Sequence, residues 1–212
     1  MPVYQLPDEI VFPHPSLAEE DGLLAVGGDL TPERLLLAYE NGIFPWYNAG
    51  DPILWWSPDP RCVLFPGKFK HSKSLRQSIR REHYEFSMNT AFDEVIEACS
   101  SASDRKHRLT WLTGEMKAAY KHLHRLNYAW SVETWCLGEL AGGLYGVKSG
   151  SVFSGESMFY YQRDASKAAL NYLCENAASL GIKMIDVQQS TKHLLSLGAE
   201  EIPRSEFLEM LK

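Results

Sequence analysis

Residues 129–160 read AWSVETWCLGELAGGLYGVKSGSVFSGESMFY. Three runs in that stretch, 129–136, 139–147 and 151–160, are rich in β-branched, aromatic and apolar residues. Gly138 and Ser149-Gly150 fall between them as turn formers, so the stretch predicts three successive strands folded back on one another. Downstream, helical spacing runs over 165–180 and is stopped by Gly181. Residues 183–188 predict one more strand, and 190–197 a short helix ending at Gly198. Upstream, helical spacing recurs at 72–81 (Leu75, Ile79), 91–100 (Phe92, Val95, Ile96, Cys99) and 113–126 (Met116, Ala119, Tyr120, Leu123).

Helices, an antiparallel meander, a crossover helix and a last strand predict a three-layer α+β domain. The strand–strand–strand–helix–strand run is the layout expected of an acetyltransferase-type (GNAT-type) domain, a likeness that does not by itself fix function. The first sixty residues differ in kind. They are dense in proline and glycine and predict turns and short elements rather than a large core of their own. One helix stands out there, with Thr31 as cap, Pro32 at its first position, Leu35, Leu36 and Tyr39 as apolar residues and Gly42 as terminator. The expected division is a small N-terminal domain over 1–62 and a catalytic domain over 63–212.

The 212 residues are 45% hydrophobic and 23% charged, ordinary for a soluble globular chain. No basic region followed by an apolar run opens the chain, and no stretch approaches eighteen apolar residues, so neither a signal peptide nor a membrane span is expected. Cys62, Cys99, Cys136 and Cys174 are scattered without a C-x-x-C pair, which predicts reduced thiols in the cytoplasm and no zinc site.

The net charge of −6 hides a strong asymmetry. Residues 1–60 hold ten acids and one base, giving −9; residues 61–81 hold seven bases and no acid, giving +7. Residues 82–212 hold thirteen bases and seventeen acids, giving −4. A basic island on an acidic chain, with Lys73, Arg76, Arg80 and Arg81 on one helix, is a candidate phosphate-binding surface, or else a solvated helix face.

No nucleophile elbow, phosphate loop, H-E-x-x-H or dinucleotide motif is present. His122 and His124 are two apart on a helix and share no face, and no metal is expected. Three features remain. Strand alternation over 183–188 puts Met184, Asp186 and Gln188 on one face with Ile185 and Val187 behind, as a strand-end site or a strand-end hydrogen-bonded pair. Glu156 lies among Val152, Phe153, Met158 and Phe159, where a carboxylate calls for a cation or a donor unless it faces outward. The aromatics of 44–47, 55–56 and Trp111 can stack a base or fill a core.

Taken together, residues 41–46 (NGIFPW), 54–61 (LWWSPDPR), 155–159 (GESMF) and 185–188 (IDVQ) resemble the leucyl/phenylalanyl-tRNA–protein transferase family. Residues 27–30 (GGDL), 165–167 (ASK) and 196–199 (SLGA) agree in the same order, so the resemblance covers nearly the whole chain. It implies an enzyme that moves Leu or Phe from aminoacyl-tRNA onto proteins beginning with Arg or Lys, marking them for degradation, without a cofactor. It implies catalytic roles for Asp186 and Gln188, and an aminoacyl and acceptor site lined by Glu156. It places Trp46 and Trp111 near the terminal adenosine and the basic helix against the acceptor stem. An apolar pocket of Leu144, Leu170 and Leu173 is expected, roomier than in relatives with bulkier aromatics at 173 and 177. A monomer is the simplest state.

Gln188 cannot titrate, so its expected role is to accept a hydrogen bond from the attacking amine, with Asp186 orienting it or taking up positive charge. Three rival readings share parts of this pattern. An acyl-CoA N-acetyltransferase needs a glycine-rich turn before the long helix, where this chain has Gln162-Arg163-Asp164. A tRNA-fed transferase building peptidoglycan bridges needs a lipid-linked acceptor, and nothing here seeks a membrane. A non-catalytic tRNA-binding module leaves Glu156, Asp186 and Gln188 without a shared purpose.

Overall fold

The meander forms where its turn residues require. The structure, a computed structural model, describes residues 3–104 and 111–212. β7 (Ala129–Cys136), β8 (Glu139–Ser149) and β9 (Val152–Tyr160) pair antiparallel in succession. α5 (Ala165–Asn176) carries the chain back, and β10 (Met184–Gln188) enters parallel to β9, with Asp186 opposite Ser154. Two short strands, β5 (Arg61–Leu64) and β11 (Glu200–Ile202), extend this edge, and β6 (Glu85–Met88) closes the other. The sheet has seven strands in the order β11-β5-β10-β9-β8-β7-β6.

Helices cover both faces. α3 (Phe92–Asp104) and α4 (Gly114–Arg125) pack on one side, through Val95, Ile96, Met116 and Tyr120 against Tyr145 and Val147. α5 packs on the other, through Leu170 and Leu173 against Val132 and Leu144. It lies so close to β8 that a Cβ on Gly142 would sit 2.7 Å from that of Ala165. α2 (Lys73–Arg81), capped by the Ser72 hydroxyl, buries Leu75 on the α5 side.

The N-terminal residues build a second sheet from β1 (Tyr4–Leu6), β2 (Leu23–Gly27), β3 (Phe44–Pro45) and β4 (Leu54–Trp56), ordered β1-β2-β4-β3. α1 (Pro32–Glu40) spans it, with Thr31 as cap and Gly42 at φ +70° after its end, as the sequence predicts. Leu35, Tyr39 and Trp55 from this unit share one continuous core with Tyr120 and Tyr145 of the larger one. The expected division after residue 62 falls inside β5, whose Arg61 and Cys62 already pair with β11.

The short strands β1–β6 and β11 and the helix α7 (Arg204–Met210) have no counterpart in the sequence reading. Strands of two to five residues hold too few alternations to register as a period. The helix expected to 180 ends at Asn176 and continues as turns to Gly181 (φ +67°). The helix expected over 190–197 is the five-residue α6 (Lys192–Ser196), capped by Thr191. The four cysteines are reduced and buried. Among the described residues, no helix is long and apolar enough to cross a membrane.

Candidate active site

The site begins with a break in β9. Tyr145 of β8 pairs with Ser157 and the next residue, Gly146, with Gly155, so Glu156 is the extra residue of a β-bulge. The bulge reverses the alternation: Phe153 and Phe159, both odd-numbered, lie in cores on opposite faces of the sheet. It also re-aims Glu156 into a gap beside the end of β10. There its Oε2 accepts from the Tyr120 hydroxyl at 2.8 Å, and Tyr120 OH lies 2.8 Å from Tyr39 OH of α1. Its Oε1 accepts from Gln188 Nε2 at 3.0 Å. Burial pushes the Glu156 carboxyl up to about 7, against the pull of the two tyrosine hydroxyls.

β10 does not present Asp186 and Gln188 on one face. Ile185 and Val187 line the cavity, and Asp186 points to the opposite face with Met184. The expected alternation fails at its last step because Gln188, the final residue of β10, takes φ +60° instead of an extended conformation. The backbone turns there, with Gln189 N–H donating to Val187 O at 2.7 Å. This turn brings the Gln188 side chain round to the face of Ile185 and Val187 and onto Glu156. A left-handed non-glycine residue is costly and persists only where its surroundings hold it.

Asp186 is what holds it. Its Oδ1 accepts the Gln188 N–H at 3.0 Å and Arg61 Nε at 2.8 Å; its Oδ2 accepts Arg61 Nη2 at 2.7 Å and the Ser154 hydroxyl at 3.4 Å. Asp186 and Arg61 are each 1% exposed. The guanidinium is held between the Phe44 and Phe207 rings at 4.8 and 4.6 Å. A carboxylate so placed lines neither the cavity of Ile185 and Val187 nor its surface.

Two hollows meet at Glu156, Val187, Gln188, Thr191 and Leu194. One, of about 230 Å³, is apolar and lined by Leu144, Phe153, Met158, Leu170 and Ile185. The other, of about 350 Å³, is walled by Phe44, Pro45, Trp46 and Trp111. Trp46 is 42% exposed and braced edge-on by Trp56, so a ring face is open for stacking. Leu144 and Leu170 line the apolar hollow. Leu173 does not: one helical turn on from Leu170, it is fully buried in the core behind the wall. Ala177 lies in the same core and, like Leu173, does not line the hollow. Lys73, Arg76, Arg80 and Arg81 sit apart, lining an open groove along α2. Among the described residues, no cluster of His, Cys, Asp and Glu has the makings of a metal site.

The arrangement suits a donor with an apolar side chain and a flat ring system, joined at a reacting centre beside Glu156 and Gln188. The chain matches the model of the leucyl/phenylalanyl-tRNA protein transferase over residues 63–212, and that of the same protein's N-terminal domain over 28–59. The chain belongs to the leucyl/phenylalanyl-tRNA–protein transferase family. It is 57% identical to the family member of Syntrophotalea carbinolica, over all of this chain and 92% of that one. It is 54% identical to the member of Desulfatibacillum aliphaticivorans, over all of this chain and 91% of that one. Among solved structures, it is similar to the L-PGS of Bacillus licheniformis (TM-score 0.46, 14% identity, 82% of this chain and 55% of that one). It is also similar to an aminoglycoside acetyltransferase from a soil metagenome (TM-score 0.41, 15% identity, 54% and 87%).

As a member of this family the chain is an aminoacyltransferase that uses aminoacyl-tRNA and a protein acceptor. Sequence reasoning missed three of the site's residues. Arg61 counted as the end of a resembling segment and as part of the basic island but not as a site residue, although its own strand is otherwise apolar (Cys62, Val63, Leu64), a setting in which a charge needs a buried partner. Tyr39 and Tyr120 read as helix-face core, and nothing in their spacing indicates the hydroxyl chain to Glu156.

Proposed function

We propose that this enzyme moves Leu or Phe from the 3′ end of aminoacyl-tRNA to the α-amine of proteins beginning with Arg or Lys, acting as a cytoplasmic monomer and marking those proteins for degradation. The observation that carries the reading is the Glu156–Gln188 pair at the mouth shared by the apolar hollow and the tryptophan-walled one. The terminal adenosine stacks against Trp46 and Trp111, and the Leu or Phe side chain fills the hollow of Leu144, Met158 and Leu170. The ester carbonyl is then beside Gln188.

Because Gln188 Nε2 donates to Glu156, its carbonyl oxygen faces the mouth as an acceptor. It takes a hydrogen bond from the incoming amine and aims the nitrogen lone pair at the carbonyl carbon. A protein α-amine has a reference pKa of about 7.7–8.0, so an appreciable fraction is neutral near neutrality and no strong base is needed. The C–N bond forms, the bond from the carbonyl carbon to the ribose oxygen breaks, and the amine's surplus proton ends on that oxygen. Glu156, with its carboxyl near 7, is matched to relay this proton. Placement itself contributes most, up to about 7–11 kcal/mol in favourable systems. Asp186 acts through Gln188 and Arg61.

Glu156 is the one carboxylate lining the two hollows, and neither Lys nor Arg lines them among the described residues. That charge favours a cationic first residue on the acceptor and disfavours an acidic one. The test offers labelled Leu-tRNA with peptides starting in Arg, Lys, Asp or Ala. Transfer is expected to the Arg and Lys peptides alone; transfer confined to the Asp peptide would overturn the acceptor assignment. The open groove of α2 is expected to take phosphates of the tRNA stem. Replacing Lys73, Arg76, Arg80 and Arg81 one at a time should each lower the salt slope of tRNA affinity by about 1. An unchanged slope would remove α2 from the interface.

A further inference from the structure

We propose that the hollow at the N-terminal end of α5 binds a phosphodiester of the single-stranded 3′ tail of the donor tRNA. The hollow, of about 630 Å³, is lined by Tyr160, Arg163, Asp164, Ser166, Lys167 and His193. It includes two residues of the segment 165–167, to which neither the chemistry nor the two substrate hollows gives a role.

The helix start is open. Asp164 occupies the cap position in the left-handed region (φ +63°) and makes no cap hydrogen bond. Its carboxylate is turned aside, accepting the Ser78 hydroxyl at 2.9 Å and Lys167 Nζ at 2.8 Å. The twelve-residue helix thus points free N–H groups and its positive dipole end at the hollow. The second observation is Ser166. The residue is 5% exposed, it lines the hollow, and its hydroxyl makes no hydrogen bond among the described residues. That hydroxyl is free to donate to an acceptor seated in the hollow. Arg163 and Lys167 outweigh Asp164, so that acceptor is an anion, and the exposed Tyr160 ring offers a base a stacking face.

Position selects RNA over the acceptor protein. On one side the hollow abuts α2 through the Ser78–Asp164 bond, and the turn after α2 through the bond from Tyr84 OH to Arg163 O at 2.8 Å. On the other side His193 lines both this hollow and the apolar one. Beyond the bulge, Glu156, Met158 and Tyr160 follow one another along β9, about 14 Å from first to last at strand spacing. A tail running from the basic helix to the catalytic mouth crosses this surface. The inference rests on the reading of that mouth as the donor site.

The test compares three donors: leucyl-adenosine, the leucyl-CCA trinucleotide and leucyl-tRNA. In Ser166→Ala, and in Lys167→Met combined with Arg163→Ala, KM for the trinucleotide and the tRNA should rise about tenfold with kcat unchanged. Leucyl-adenosine, which has no phosphodiester, should be used as before. Variants of Arg76 and Arg80 should weaken only the full tRNA, which separates this site from the α2 groove. Binding of uncharged CCA, followed by quenching of tryptophan fluorescence, reads the same site without any transfer and should weaken by the same factor. This keeps failure of the site distinct from failure of the proposed reaction. Equal effects on all three donors, an effect on acceptor KM alone, or unchanged trinucleotide binding would each overturn the proposal.

Discussion

Replacing Arg61 by Met removes two of the four donors that Asp186 accepts and leaves a carboxylate unpaired at a position 1% exposed. Breaking a buried pair from one side costs about 3–5 kcal/mol. That is a large part of a stability of about 5–15 kcal/mol. With a urea slope of about 2–3 kcal/mol/M, the unfolding midpoint should fall by about 1–2.5 M. Stability alone would explain any loss of activity, so the informative protein is Arg61→Met combined with Asp186→Leu. Exchanging a whole buried ion pair for apolar side chains is often neutral or stabilising. The Phe44 and Phe207 rings that flank the guanidinium can pack on a Met side chain. The double variant should therefore unfold within about 1 M urea of the parent protein. Its Gln188 N–H has lost its acceptor, however, and the left-handed turn is left with only the Gln189–Val187 and Gln188–Glu156 bonds. Misplacing a reacting group by about 1 Å costs on the order of a hundredfold. Transfer from leucyl-tRNA to an Arg-start peptide should thus stay down about a hundredfold at restored stability. A double variant that regains both stability and transfer would refute the positioning role and reduce the ion pair to packing.

Other expectations bear on the same centre. The Glu156 carboxyl is raised in the folded protein, so it favours folding at low pH and loses that contribution as pH climbs from about 4.5 through about 7. Comparing urea stability at pH 5 and pH 8, the parent should lose on the order of 2–3 kcal/mol relative to Glu156→Gln; parallel pH profiles would show Glu156 ionising normally. Gln188→Gly and Gln188→Ala both lose the bond to Glu156 and should abolish transfer, but only glycine relieves the left-handed strain, so it should be the more stable of the two by about 1 kcal/mol; equal stabilities would contradict the strain reading. Leu170→Phe narrows the apolar hollow and should shift the ratio of kcat/KM for Leu over Phe donors by about tenfold or more toward Leu. Equal losses for both donors would place the side chain elsewhere.

Much of this was legible beforehand. The meander, the crossover helix and α4 follow from periodicity and turn residues, because each is long enough to repeat its pattern. Leu144, Leu170, Trp46, Trp111, Glu156 and Gln188 all line the two meeting hollows. What the residues could not disclose are the two departures from period. Alternation predicts one shared face for Asp186 and Gln188, and the left-handed turn at Gln188 undoes that pairing. Alternation likewise gives no sign of a bulge at Glu156, since the extra residue is visible only against the partner strand. Arg61 and Asp186 lie 125 positions apart in sequence, and only the sheet order, with β5 beside β10, brings them together. Leu173 fails for a simpler reason: a helix facing a pocket has inner and outer rows, and composition does not tell them apart.

The two faces of β10 separate two kinds of heritable change. Ile185 and Val187 border the apolar hollow, which on the proposed reading takes the donor's side chain, while Asp186 looks the other way into its own buried anchorage. Mutations at 185 and 187 can therefore drift, or be drawn from a library, without disturbing the turn that presents Gln188. Descendants of this enzyme could broaden the amino acids they transfer in single steps that remain active throughout. A designer seeking to install an unnatural residue on protein N-termini would begin with those two positions and leave 186 alone.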